Sequence, residues 1–221
     1  MAEVARQHII WIKRMQPVGP YRLLGHSFGA LLMFEIVQQL TLCGDIIEFL
    51  CVLDQEIRPK PGLPAAYDKV AFILHLTCEY FESFQIISKP FPGWVHQLHN
   101  ELLDLGTDEM MPYIVSYVSE KVANSARVVE YVSRLINIRI CNEMMIYHPE
   151  GRLPAKVLLF KAADSDLEYK DNMMGWTDYS DSVSLFHVSG DHHNMLKAEH
   201  APQIARHIID FVSCAACSMN Q

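Results

Sequence analysis

Five residues, Gly25-His26-Ser27-Phe28-Gly29, constrain this chain more than any other stretch. They form a G-x-S-x-G between a short strand pattern, Tyr21 to Gly25, and a strongly apolar helical run that starts at Ser27. The run passes through Leu31, Leu32, Phe34, Ile36, Val37 and Leu40 and closes near Gly44. A serine on so sharp a strand-to-helix turn is held in a strained backbone conformation, and the glycines two residues either side let strand and helix approach. Ser27 Oγ is then expected to stand exposed above a sheet. A helix N-cap serine would use the same position, but only an elbow needs both Gly25 and Gly29.

The rest of the pattern supplies the sheet. Residues 2 to 15 have helical spacing, with Val4, Ile9, Ile10, Ile12 and Met15 among charged residues, and Pro17 with Gly19-Pro20 ends that helix. Ile46 to Leu53 is an apolar run, broken only by Glu48, that ends on Asp54, as expected of a strand buried on both faces. Pro59, Pro61, Gly62 and Pro64 make a rigid connection to residues 66 to 147, whose apolar pattern is mostly helical. Strands are expected again at Lys156 to Lys161 and Ser182 to Val188, with Trp176 on the loop between them, and Met195 to Val212 reads as a closing amphipathic helix. The fold class is therefore α/β: a mostly parallel sheet flanked by helices on both faces, with an inserted helical layer. In such a sheet the reactive residues belong at the carboxyl ends of the strands.

A serine hydroxyl needs a base, and the base needs an orienting carboxylate. His192 is the preferred base, because Gly190-Asp191-His192 follows a predicted strand near the C-terminus and completes the chain order Ser, Asp, His. Its neighbour His193 is the alternative by spacing. For the carboxylate, Asp54 is delivered directly by the apolar strand Leu50-Cys51-Val52-Leu53, whereas Asp164 and Asp166 lie in a polar loop where carboxylates are ordinary. The N–H of Phe28, at the start of the elbow helix, is the expected oxyanion donor.

Composition excludes other classes. The 221 residues carry 18 basic against 26 acidic side chains, a formal charge of -8, and no run of Lys and Arg suits a phosphate backbone, so nucleic acid is not an expected partner. No stretch approaches the ~20 consecutive apolar residues of a membrane span, and residues 1 to 7 lack a secretory signal pattern, which makes a cytoplasmic address the expectation. The cysteines Cys43, Cys51, Cys78, Cys141, Cys214 and Cys217 are scattered through mostly apolar runs, which argues against a disulfide scaffold. Cys214 and Cys217 make a C-x-x-C without a second ligand pair, so no metal site is expected, and the last eight residues read as a frayed tail. The final Ser-Met-Asn-Gln holds no prenylation box.

These residues resemble the type I thioesterase domains that end fatty acid, polyketide and nonribosomal peptide synthases, members of the α/β-hydrolase superfamily. The resemblance is carried by Gly19-Pro20-Tyr21-Arg22-Leu23-Leu24-Gly25-His26-Ser27-Phe28-Gly29-Ala30, by Phe34-Glu35 and Gln39-Leu40, by Leu53-Asp54, and by Gly190-Asp191-His192 with Met195-Leu196; it runs from residue 2 to about 212. It implies an α/β-hydrolase fold with residues 1–65 and 148–213 forming the core, 66–147 a helical lid and 214–221 a tail. It implies that Ser27 takes a fatty acyl, polyketide or peptidyl chain from the phosphopantetheine thiol of an acyl or peptidyl carrier protein. Water or an internal nucleophile then releases the chain, and no cofactor of the domain's own takes part. Asp54 matches the family's acid in synthase-terminal members, and Phe28 points the same way. Family members carry several dozen residues before the segment seen here, including early strands and a loop that supplies a second oxyanion N–H, so an N-terminally truncated version of the fold, with the elbow strand at a sheet edge, is expected.

Two other readings share part of this pattern. A general carboxylesterase of the same fold would keep the triad but has no reason to carry the GPYxLxGHSFG string. A binding piece without turnover would have no physical need of a strained elbow.

Overall fold

The computed structural model describes residues 1–58, 68–122, 126–164 and 171–218. The chain divides into two compact units, one made of Met1–Pro59 with Tyr147–Gln221 and the other of Lys60–Ile146. In chain order the first unit holds α1 (Ala2–Met15), β1 (Tyr21–His26), α2 (Phe28–Leu42) and β2 (Ile47–Leu53). The helical unit follows with α3 (Lys69–Ser83), α4 (Trp94–Leu102), α5 (Thr107–Lys121) and α6 (Ala126–Met144); the first unit resumes with β3 (Lys156–Ala162), β4 (Val183–Val188) and α7 (Ala201–Ser218). Among the described residues, the alternation of β-branched runs with helical runs thus becomes a four-stranded sheet in the order β1-β2-β3-β4, every pair parallel.

Alternation along the strands decides which helix covers which face. Leu50 and Val52 of β2 and Val157 and Leu159 of β3 point into a core shared with Ala30, Leu31, Phe34 and Val37 of α2. The residues between them, Phe49, Cys51, Leu53, Leu158 and Phe160, point the other way and pack with Ile204 of α7 and with Met195. Both faces are buried over Phe49–Leu53 and Val157–Phe160, so these stretches read as unbroken apolar runs. Helix α2 is apolar around its girth for a related reason: Ile36 and Leu40 are buried in a separate cluster between α1 and the start of β1, with Ala5 and Tyr21.

Register brings the carboxyl ends of the strands level. His26 pairs with Leu53, Leu53 with Phe160, and Phe160 with Phe186. Among the described residues β1 pairs with β2 alone, and Leu24 on it is 46% exposed. The helical unit has a core of its own, in which Ile73, Phe81, Leu98, Ile114, Val132 and Ile136 are buried together. Its first helix starts where Asp68 accepts a hydrogen bond from the Ala71 N–H at 2.9 Å, an N-cap that satisfies one of the orphan donors of the first turn.

Two boundaries differ from the expectation. The closing helix begins at Ala201, and residues 195–200 form successive turns instead, with Lys197 N–H donating to the Asn194 carbonyl and His200 N–H to Lys197. Pro202 accounts for the late start, since a proline fits the first turn of a helix and breaks its interior. At the other end α7 continues to Ser218, so Cys214 lies on a helix where a frayed tail was expected. The rigid connection at Pro59 to Pro64, the carboxylate Asp166, and the side chain of Cys217 lie outside the described residues.

Candidate active site

The elbow is built as the pentapeptide requires on its strand side. Ser27 caps α2 with φ 53° and ψ −136°, a positive φ that a residue with a Cβ rarely adopts. Its N–H donates to the Leu53 carbonyl at 3.1 Å, and its own carbonyl accepts from the Ala30 N–H at 2.8 Å, so backbone bonds on both sides hold the turn. Gly25 is sterically required: a Cβ there would lie 2.5 Å from Ala30 Cα and 2.6 Å from Ala30 N. Gly29 departs from the expectation, because a Cβ at that position would meet nothing within 4 Å among the described residues. Strand and helix are in tight contact only at the first glycine; the chain at Gly29 is already in the helix and turned away. Phe28 is the first residue of α2, which puts its N–H in the first helical turn at the positive end of the helix dipole.

Asp54 is the residue immediately after β2. It also has a positive φ, 47°, and its side chain is fully buried. Its N–H donates to the Phe160 carbonyl at 2.8 Å, and its Oδ1 accepts from the Ala162 N–H at 2.9 Å. That pair of bonds ties the carboxylate to the end of β3 and leaves Oδ2 directed at His192 Nδ1, 2.9 Å away. The segment after it is held too: Ile57 N–H donates to the Met174 carbonyl at 2.9 Å, and the indole N–H of the buried Trp176 to the Gln55 carbonyl at 2.7 Å.

His192 Nε2 lies 3.0 Å from Ser27 Oγ, across a sequence separation of 165 residues. The three side chains therefore form one line, carboxylate to imidazole to hydroxyl, with the imidazole largely buried. The turn that carries His192 belongs to no helix or strand and is braced by specific bonds. Asp191 Oδ1 accepts from the His193 and Asn194 N–H groups at 2.7 and 2.9 Å, and Asn194 Oδ1 accepts from the Asp191 N–H at 2.8 Å. Gly190 has φ 92°, and a Cβ on it would collide with Asn194 Oδ1 and the His200 ring.

The competing residues fall elsewhere. His193 is exposed and stands edge-on to the His192 ring at 5.2 Å. Asp164 turns its carboxylate to the Gly190 N–H at 3.2 Å and its own N–H to the Gly190 carbonyl at 3.0 Å, so it braces the turn ahead of His192. The Asp191–Asn194 clamp and this brace were missed from sequence, although a D-x-x-N spacing in a loop is a recognisable turn-building signal. His26, beside the nucleophile, was also missed: its Nε2 donates to the His192 carbonyl at 2.9 Å. Burial pushes the His26 imidazole below its ordinary range, and the neighbouring His192 and His193 add to this, while the carbonyl bond and Asp54 oppose it.

Comparison with known proteins agrees with this architecture. A family model described as the thioesterase domain matches residues 1–212. The nonribosomal peptide synthetase acyN of Ascocoryne sarcoides is 29% identical over 208 residues, covering 89% of this chain and 22% of that protein. The indigoidine synthase of Dickeya dadantii is 26% identical over 210 residues, covering 90% of this chain and 13% of that protein. The chain thus spans less than a quarter of the length of these relatives. Among solved structures, a four-domain nonribosomal peptide synthetase bound to AMP and glycine superposes with a TM-score of 0.68 at 21% identity, covering 95% of this chain and 16% of that one. The thioesterase domain that cyclises the lipopeptide surfactin does so with a TM-score of 0.55 at 17% identity, covering 88% of this chain and 68% of that domain. At these identities the superpositions speak to the fold, which is that of the solved thioesterase domains. Kinship rests on the family match over nearly the whole length, and by it the chain belongs to the thioesterase domain family.

Proposed function

We propose that this chain is a serine thioesterase that releases an acyl or peptidyl chain from the phosphopantetheine thiol of a carrier protein. The observation that carries the proposal is the unbroken line from Asp54 Oδ2 through His192 to Ser27 Oγ, at 2.9 and 3.0 Å, on a positive-φ elbow. Ser27 Oγ attacks the thioester carbonyl while His192 Nε2 takes its proton, and Asp54 holds the imidazole with Nδ1–H toward the carboxylate and compensates its charge. Negative charge on the carbonyl oxygen is met by the Phe28 N–H at the start of α2. Collapse of the tetrahedral species breaks the C–S bond, and the departing thiol receives the proton from His192. Water, or a nucleophile within the bound chain, repeats the sequence on the Ser27 ester and gives hydrolysis or cyclisation. The pantetheine arm arrives with the substrate, so the domain's own residues supply the chemistry.

Peptidyl chains are the favoured substrates within this reading, since relatives such as acyN are named nonribosomal peptide synthetases and Asp54 and Phe28 match the synthase-terminal kind. Fatty acyl and polyketide chains share the same thioester chemistry. To the helical unit we assign, from the resemblance alone, the role of the family's lid. The test is intact-mass detection of a fluorophosphonate adduct, followed by turnover of acyl-pantetheine thioesters against matched oxygen esters. One adduct, abolished by Ser27→Ala and by His192→Ala, together with preference for the thioester, is the expected result. No adduct on a folded chain would overturn the serine mechanism, and preference for oxygen esters would point to a carboxylesterase.

A further inference from the structure

The turn that carries His192 lies outside regular structure, so the position of the imidazole depends on discrete bonds. Most come from neighbours in sequence or from the end of β3: the Asp191–Asn194 clamp and the Asp164–Gly190 bonds. One comes from the strand that carries the nucleophile. His26, the last residue of β1, places Nε2 2.9 Å from the His192 carbonyl oxygen across a separation of 166 residues, and the two rings lie 4.9 Å apart at 34°. A carbonyl oxygen can only accept, so His26 must carry its proton on Nε2. The elbow therefore holds its partner twice, Ser27 through the ring of His192 and His26 through its main chain.

We propose that His26 is a positioning residue that sets the distance between Ser27 and His192 by donating its Nε2–H to the His192 carbonyl. The proposal rests on the reading of Ser27, His192 and Asp54 as a triad. Among the contacts described, this one ties the base's backbone to the end of the strand that leads into the nucleophile, so its loss removes a direct restraint on the distance on which proton transfer depends. The groups that face His26 are His192 and His193 on the turn and Asp54 at the end of β2. A neutral His26 can hold the carbonyl without placing a second positive charge beside the imidazolium that His192 becomes during turnover.

Glutamine can present an amide N–H close to the place of Nε2, and leucine fills similar space without a donor. The experiment compares His26→Gln and His26→Leu with the unaltered chain for kcat and KM on an acyl-pantetheine thioester, the fluorophosphonate labelling rate, and the thermal midpoint. Leucine is expected to lower kcat and labelling on the order of 10- to 100-fold with KM changed by less than about threefold, and glutamine to restore most of the loss. A leucine variant as active as the unaltered chain, or a folded glutamine variant as poor as leucine, would overturn the proposal while leaving the triad standing. Should leucine prevent folding, ring ¹⁵N shifts of the unaltered chain decide: protonation of His26 on Nε2 supports the bond, and protonation on Nδ1 alone overturns it. An unaltered chain that takes no adduct would overturn the triad reading and this proposal with it.

Discussion

Ser27 and Asp54 are register neighbours: the residues just before them, His26 and Leu53, pair across β1 and β2, and both leave their strands with positive φ, 53° and 47°. The two strand ends thus turn upward side by side, and Ser27 N–H donates to the Leu53 carbonyl at the same level. The backbone places hydroxyl and carboxylate on adjacent strands, with the imidazole arriving between them from the loop after β4.

Asparagine at position 54 separates geometry from charge. Asn tolerates the left-handed backbone and its oxygen can still accept from Ala162 N–H, so Asp54→Asn is expected to fold. Its amide N–H₂, however, would face His192 Nδ1 and force the proton to Nε2, where it opposes Ser27. We expect kcat to fall on the order of 10⁴-fold with KM little changed. Asp54→Ala should add about 1–2 kcal/mol of destabilisation from the backbone alone, read by urea unfolding.

The two elbow glycines should behave oppositely. Gly25→Ala drives a Cβ to 2.5 Å from the Ala30 backbone and is expected to destabilise by about 3 kcal/mol or prevent folding. Gly29→Ala meets nothing within 4 Å and lies within α2, where alanine is the better helix former. It should be neutral or stabilising by about 0.4–1 kcal/mol, as measured from denaturant midpoints.

Acid should weaken the fold partly through His26. Its folded pKa lies below its unfolded value, chiefly because burial disfavours the charged ring. Between those values the unfolded chain binds a proton that the folded chain does not, so stability rises with pH there. The contribution is therefore intact above the ordinary histidine range of about 6.5 and declines as pH falls through it, levelling off below the folded pKa. Denaturation midpoints from pH 5 to 8 should show a shallower slope for His26→Gln than for the unaltered chain; equal slopes would remove His26 from the account.

Thiol reactivity should divide the cysteines. Burial pushes Cys51 up to about 12 and Cys78, with help from Glu82, to about 11, whereas Cys43, Cys141 and Cys214 are exposed. Iodoacetamide at neutral pH is expected to modify the exposed three in the folded protein and to reach Cys51 and Cys78 only on unfolding, as read by peptide mass mapping. Because these two folded pKa values exceed the unfolded ones, their contribution to stability is present below the unfolded thiol pKa and is lost as pH rises above about 8.5.

Local pattern alone determined the element types and the elbow. The strand before Ser27 and the helix after it, the buried runs of β2 and β3, and the helices α3 to α6 follow from periodicity and turn chemistry within a few residues of each position. The same signals put Ser27, Asp54 and His192 at or just beyond strand ends, as candidates among eleven histidines and twenty-six acids. Tertiary structure decided which of them meet. His192 rather than its neighbour lies against Ser27, Asp54 takes Nδ1 while Asp164 braces the turn, and His26 grips the carbonyl of a residue 166 positions away. It also decided that a Cβ is excluded at Gly25 and accommodated at Gly29, and that the final helix waits until Ala201. These outcomes depend on strand register and on hydrogen bonds that close over more than a hundred residues, whereas periodicity reports only on near neighbours in the chain.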